Sequence, residues 1–427
     1  MHWALRCLLL SAVIGCLHAT KDSGRFAKED DARKTHGPFR GTDKAPPEAP
    51  CDVSLAPSPQ EVERVVEAIL ELGLSLFRVL DSALPPTTNI VISPVSIAMV
   101  LANLALGAEG ETKRELLGLL ALQNDCDHRI LRFVFGTLAE ETTTVASHVF
   151  LRRAHIEERF RSRLAAFYSA ASSELHGSAR EDAERMNAWA LRHTGARLGD
   201  LVTSLGADTR LVLLSALYYK GEWKTKFNVD YTVKRQFVLP MGQTKMVDMV
   251  HAPSYPFRIK DLFPYQFAEF PFCKNSSLVT VSSQDSDEDF RAMQTNIRAS
   301  DFRAGLSNMK DVVMAVAIPK VTLREKVDLT RALQDMAPKP LTHLFSPAAD
   351  LRGLSAERLW VSDVSHSAFV RVDEEGAEAA AATAASASRS LRELALERPF
   401  LFLLRDRPAP GSAGLPLLLG RVVDPEP

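Results

Sequence analysis

Between a segment that alternates like a strand and one rich in large apolar residues, the chain carries EEGAEAAAATAASASRS, Glu374 to Ser390, in which almost every side chain is very small. Upstream, Val364, His366, Ala368, Val370 and Val372 alternate with Ser365, Ser367 and Arg371, the period-two pattern of a half-buried strand that feeds the stretch directly. Gly376 lets the backbone turn, and the residues after it are small enough to enter a packed sheet without displacing neighbours. As a strand, Ala377, Ala379, Ala381, Thr383, Ala385 and Ala387 would line one face and Glu378 would face water, so no bulky or charged side chain blocks the inner face. Alanine favours strands poorly, so the segment has little local reason to be one before a sheet takes it up. At about 3.3 Å per residue, Ala377 to Arg389 reaches roughly 43 Å, the height of a whole sheet. An alanine-rich linker would share this composition, but it would explain neither the strand pattern before the stretch nor the apolar run after it. The run ends at Arg389 followed by Ser390, which suits it as bait for a protease that reads a basic residue.

The rest of the chain narrows the setting. With 427 residues, 46% of them apolar, it can bury a large core, and length alone allows two or three domains. Net charge is -2 with acids and bases interspersed, which argues against nucleic acid and against a polybasic membrane anchor. Lys220, Lys224 and Lys226 form a local cationic group, a candidate contact for a polyanion such as heparin or simply a solvated face. The N-terminus MHWALRCLLLSAVIGCLHA has Arg6, an apolar stretch from Cys7 to Leu17 and a small residue at Ala19, so residues 1–19 are expected to be a secretory signal peptide. No later segment has the 18 or more apolar residues a membrane helix needs, and the mature chain is expected in the extracellular fluid. Of the five cysteines, Cys7 and Cys16 leave with the signal, and an oxidising compartment predicts a pair among Cys51, Cys126 and Cys273. Asn275-Ser276-Ser277 is the single glycosylation sequon. Residues 20–57 are rich in Lys, Asp, Gly and Pro and predict a flexible tail. From Pro59 onward Val62, Val65, Val66, Ile69, Leu76, Phe77 and Leu80 fall at helical spacing. Helical patterns dominate to about residue 205, alternating ones from Leu211 to Tyr219 and again from Leu278. No HExxH, GxSxG or glycine-rich phosphate loop occurs, which is consistent with a chain that holds no metal, cofactor or catalytic residue.

The stretch EEGAEAAAAT with the later ERPFLFLLRD and GRVVDP resembles the hinge and C-terminal signature of the serpins. NIVISPVSIAMVLANLALGA (Asn89 to Ala108), MNAWALRHT (Met186 to Thr194) and TRLVLLSALYYKGEWKTKF (Thr209 to Phe227) resemble three further serpin motifs in the expected order. The resemblance covers about residues 60–427 and implies one domain, 58–427, of the α+β serpin fold: three β-sheets, about nine helices and an exposed reactive-centre loop at about 374–397. It also implies a protease inhibitor and not an enzyme. The scissile bond would be Arg389-Ser390, in the register of serpins whose loops are one residue shorter than usual, with Arg392 as fallback. The hinge would be Glu374, Glu375, Gly376, Ala377, Glu378, Ala379, Ala380, Ala381, Ala382 and Thr383. Ser93, Ser96 and His366 match the group that closes the central sheet; Ser215 stands where serpins generally have Asn, and a shorter side chain there predicts a looser closure with room for water. In HTGAR the glycine is displaced by one place, so the helix end there is expected to differ. Trp223 matches the tryptophan beneath the start of the loop. By resemblance Cys51 pairs with Cys126, Cys273 stays a shielded thiol and Asn275 carries a glycan.

The branch most resembled is the complement-directed one, with a plasmin-directed branch a more distant second. The implied partners are trypsin-like serine proteases held in a covalent complex, namely complement C1r and C1s, kallikrein and factor XIIa, met by a monomer in plasma. The alternatives are a plasmin-directed inhibitor, or a non-inhibitory serpin acting as a carrier, although carriers usually spoil the hinge with a large or charged residue where this chain has Ala377.

Overall fold

Helical spacing after Ser58 is realised as α1 (Pro59–Ala83), started by a capping box in which Ser58 Oγ accepts the Glu61 N–H and the Glu61 carboxylate accepts the Ser58 N–H at 2.7 Å. All seven apolar residues that marked the helix are buried, each stabilising the fold by about 1.5–3 kcal/mol relative to exposure. The coordinates are a computed structural model that describes residues 51–426 apart from 53–54, 139–141, 195–197, 284–286, 375–392 and 407–413. The signal peptide at 1–19, most of the tail at 20–57, the displaced glycine Gly195 and the bait from Glu375 to Arg392 therefore lie outside the described residues.

Eight further helices follow among the described residues: α2 (Pro94–Ala105), α3 (Gly110–Leu119), α4 (His128–Gly136), α5 (Glu158–Tyr168), α6 (Ala179–His193), α7 (Asp287–Asn296), α8 (Ala299–Leu306) and α9 (Thr330–Asp335). α2 is apolar nearly all round and buried nearly all round, because it is wedged between the two sheets.

Among the described residues, fourteen strands build those sheets. The smaller contains β2 (Thr143–Arg152), β3 (Ser172–Leu175), β4 (Leu211–Tyr219), β10 (Val321–Asp328) and β11 (Val361–Val372), in the order β10-β11-β4-β2-β3. The larger, nine-stranded sheet takes β1 (Ile90–Ile92), β5 (Val233–Val238), β6 (Thr244–Leu262), β7 (Tyr265–Pro271), β8 (Ser276–Ser283), β9 (Lys310–Pro319), β12 (Glu393–Ala395), β13 (Phe400–Asp406) and β14 (Leu415–Val422). The long β6 pairs with β7 through one end and with β5 through the other. The three sheets implied by the serpin resemblance thus correspond to the five-stranded sheet and the two halves of the nine-stranded one, joined through β6.

The five-stranded sheet is covered on both faces. Leu211, Leu213, Leu217 and Tyr219 of β4 point into the main core, while Val212, Leu214 and Ala216 point into a second core made with Ala183, Met186 and Ala190 of α6 and with Leu198, Leu201, Val202 and Leu205. Three strands, β1 to β3, lie in the part of the chain read as helical. Ile90–Ile92 is too short for its periodicity to tell strand from helix, and β2 owes its state to pairing with β4 rather than to a clean alternation.

Candidate functional site

The bait sits between two described ends: β11 stops at Val372 and the chain is described to Glu374, then resumes at Glu393 in β12. What these ends touch defines the site.

β11 lies beside β4, and the two run parallel, Val364 opposite Leu213 through to Phe369 opposite Tyr218. On their outer sides both pair antiparallel, β11 with β10 and β4 with β2. A chain that turned back after Glu374 and ran down between β11 and β4 would be antiparallel to both, replacing one parallel pairing by two antiparallel ones, which are slightly the more stable per residue. β11 and β4 thus meet at a parallel seam flanked on each side by an antiparallel pairing.

On the main-core face the seam is closed by a row of polar side chains. His366 is wholly buried; the Ser93 N–H donates to its Nε2 at 3.0 Å, so the neutral ring carries its proton on Nδ1 and donates to Ser215 Oγ at 2.8 Å. Burial pulls the His366 pKa down to about 3, which keeps the ring neutral and both contacts intact at neutral pH. The looser, water-filled closure expected for Ser215 is not how this contact is made, because the imidazole reaches the short hydroxyl directly. Ser215 stands opposite Ser147 of β2, whose Oγ accepts from Asn103 Nδ2 of α2 at 3.2 Å. Asn103 was not expected at the site, and Ser96 contributes only by donating to Ser93 O and Oγ at the start of α2.

At the top of the seam Trp223, 2% exposed, stacks on Phe272 at 4.3 Å and donates its indole N–H to Asp373 O at 2.8 Å. It packs beneath the start of the bait and also holds the backbone there. One residue on, the buried Glu374 carboxylate accepts from the Thr232 hydroxyl and lies 2.9 Å from Lys320 Nζ. Burial pushes its pKa up, but Thr232 and Lys320 more than offset this and hold it below the usual carboxylate range. Glu374, expected as the first residue of a hinge, is thus a fixed post, and Glu375 to Thr383 lie outside the described residues.

The far end of the bait is anchored separately. β12 pairs parallel with β9, and Arg235 of β5 grips Glu393 through two bonds at 2.6 and 3.1 Å and Glu397 at 3.2 Å. These partners are more than a hundred residues apart in the chain, and only the charge pattern could have hinted at them.

Other expected residues fall away from the seam. Cys51 and Cys126 form a disulfide, and Cys273 is half-buried with its Sγ 3.9 Å from Trp223 O. Asn275 lies in the turn before β8 with φ 64, while the sequon's Ser277 is buried, its hydroxyl on the Glu269 carboxylate at 2.7 Å. Lys226 turns its Nζ out of contact with solvent, so Lys220 and Lys224 are the exposed cations of that group and the three do not form one face. Among the described residues, no cluster of three or more His, Cys, Asp or Glu side chains could hold a metal ion, and no helix is long and apolar enough to cross a membrane.

Comparison with known proteins places this geometry. The family model for serpin (serine protease inhibitor) matches residues 67–425. Alpha-2-antiplasmin of Bos taurus is 32% identical over 389 residues, 90% of this chain and 77% of that protein. Plasma protease C1 inhibitor of Homo sapiens is 28% identical over 367 residues, 84% of this chain and 71% of that protein. Among solved structures, native protease nexin-1 with heparin superposes with a TM-score of 0.76 at 27% identity, covering 85% of this chain and all 100% of that one. Mouse protein-Z dependent protease inhibitor gives 0.76 at 23% identity over 85% of this chain and 98% of that one.

Proposed function

The chain belongs to the serpin family, and from that premise we propose that it is a secreted suicide-substrate inhibitor of trypsin-like serine proteases that read Arg389 and cut the Arg389-Ser390 bond. The observation that carries this reading is the parallel seam between β11 and β4, directly continuous with a bait of small residues able to fill it. The protease serine attacks the Arg389 carbonyl, the amine of Ser390 leaves with a proton, and an ester joins the two proteins. Arginine suits a pocket whose carboxylate pairs with guanidinium in a bidentate geometry. Released from Ser390, the segment from Glu375 to Arg389 runs into the seam and drags the protease along, an insertion driven by new strand pairing. Distortion of the oxyanion hole and triad then leaves the ester unhydrolysed.

Complement C1r and C1s and the contact proteases kallikrein and factor XIIa are the first targets to test. Plasmin is the second, favoured by the higher identity to alpha-2-antiplasmin than to C1 inhibitor. A carrier role is disfavoured by Ala377 and the unbroken Ala379 to Ala382 run. Residues 1–19 would direct secretion and Asn275 would carry a glycan. The protease nexin-1 structure was solved with heparin, which makes a sulfated polyanion a candidate cofactor for the exposed Lys220 and Lys224.

The test is to mix the protein with C1s and separately with plasmin, run denaturing gels, and sequence the released fragment. A denaturant-stable complex and a fragment starting at Ser390 are expected. Arg389→Ala should abolish the complex without unfolding the protein, and Ala377→Arg should convert inhibitor to substrate, because a guanidinium resists burial in the seam. Clean cleavage by both enzymes without any complex would overturn the inhibitory reading.

A further inference from the structure

We propose that Phe369 and Tyr218 form an aromatic clasp across the seam whose release sets the rate at which the loop inserts; this rests on the inhibitory reading and names side chains that time its decisive step. Phe369 of β11 stands opposite Tyr218 of β4. Their rings stack at 5.1 Å between centroids with 19° between planes. Arg324 of β10, opposite Phe369 on its other side, holds its guanidinium 5.9 Å from the centre of the same ring. Three neighbouring strands are thus linked in one row by a cation, a phenyl ring and a phenol ring, packed against the second core.

Among the described residues no other ring pair spans this face of the seam. The pairs below it are Ser367 with Ala216 and Ser365 with Leu214, which cannot stack. On the opposite face the hydrogen bond of His366 to Ser215 lies further from the start of the bait than Phe369 does. A strand growing into the seam from Glu374 therefore meets the clasp first and the polar row second.

Strands lie about 4.7–4.9 Å apart, so one inserted strand carries the two ring centroids to about 10 Å, beyond the 4.5–7 Å over which aromatic pairs attract. The stack is lost entirely, and lost early, when little of the bait has been buried to compensate. Such a contact acts on the barrier to insertion, present before it and gone after it. A stacked pair of this kind corresponds to roughly a two- to thirteen-fold effect on rate. Because insertion races against hydrolysis of the ester, the clasp also sets how many inhibitor molecules are consumed per protease trapped. In the uncut protein it keeps the seam shut.

The experiment uses the full-length protein and a labelled synthetic peptide with the sequence of residues 375–388, EGAEAAAATAASAS, as the inserting strand. Annealing is followed on native gels for wild type, Phe369→Leu, Tyr218→Leu, the double variant and Phe369→Tyr, and inhibitor consumed per trypsin trapped is measured in parallel. Both leucine variants should anneal the peptide about two- to thirteen-fold faster and consume less inhibitor. The double variant should add little to either single one, and Phe369→Tyr, which keeps a stacking ring, should behave as wild type. Equal annealing rates in wild type and in leucine variants with unchanged circular dichroism would overturn the clasp, as would strict additivity. Faster annealing in a protein that forms no complex with any protease would instead refute the inhibitory reading while upholding the clasp.

Discussion

Lowering the pH from 7 to 5 is predicted to weaken the native sheet through His366. The ring is wholly buried, and its pKa falls from 6.5 to about 3 because burial penalises the charged form. As pH falls through 6.5 the unfolded chain takes up a proton at this position and the folded chain does not until about 3. The stability this group contributes is therefore fully present above 6.5 and is lost progressively between those two values. Between pH 7 and 5 the loss is about 2 kcal/mol. His148 and His128 are also buried with values pulled down to about 3, so a drop in stability by itself would not single out the seam. The control is His366→Asn, which removes the titrating ring and leaves the other two. Asp406, raised to about 6 by burial, acts with the opposite sign in both proteins and cancels in the comparison. Urea unfolding of the native state is followed by tryptophan fluorescence at pH 7 and 5. Wild type should lose about 2 kcal/mol more than the variant; equal losses would show that His366 titrates normally and that the imidazole does not close the seam as described.

Two further outcomes follow from the anchors. Lys320→Ala leaves the buried Glu374 carboxylate with Thr232, which should cost about 1–3 kcal/mol and speed amide exchange at the end of β11; unchanged exchange there would show that the post is not held by this pair. The Cys51–Cys126 disulfide closes a separation of 75 residues, so Cys51→Ser with Cys126→Ser should lower stability by about 2–4 kcal/mol and abolish any response of thermal unfolding to reductant.

What could be read from the chain tracks how local its causes are. α1 was legible because its capping box and apolar spacing lie within the helix itself, and β11 because its core-facing residues alternate without interruption. Phe369 was passed over as the odd residue on the polar phase of that strand. Its meaning depends on Tyr218, its partner across the seam, which is as remote in the sequence as Ser215 is from His366, 151 positions. Glu374 looked like part of a hinge because Thr232 and Lys320, its partners at separations of 142 and 54 residues, carry no mark of the pairing. Ser215 was read as a gap in the closure, and the direct reach of the imidazole could not be known before β11 and β4 were in register.

β13 and β14 lie inside the larger sheet between β8 and β1, and every residue of both is buried. Asn89, ahead of β1, binds the backbone of Val423 and Asp424, and Arg421 is locked to Asp81 and Gln294. A cut anywhere between Glu374 and Glu393 therefore severs the covalent chain without dividing the particle. The two pieces stay together as a nicked whole, migrate as one species in any gentle separation, and come apart only when the sheet itself is dissolved. Nicked and intact molecules would therefore share a column fraction, and an assay of amount that leaves the fold intact would count both.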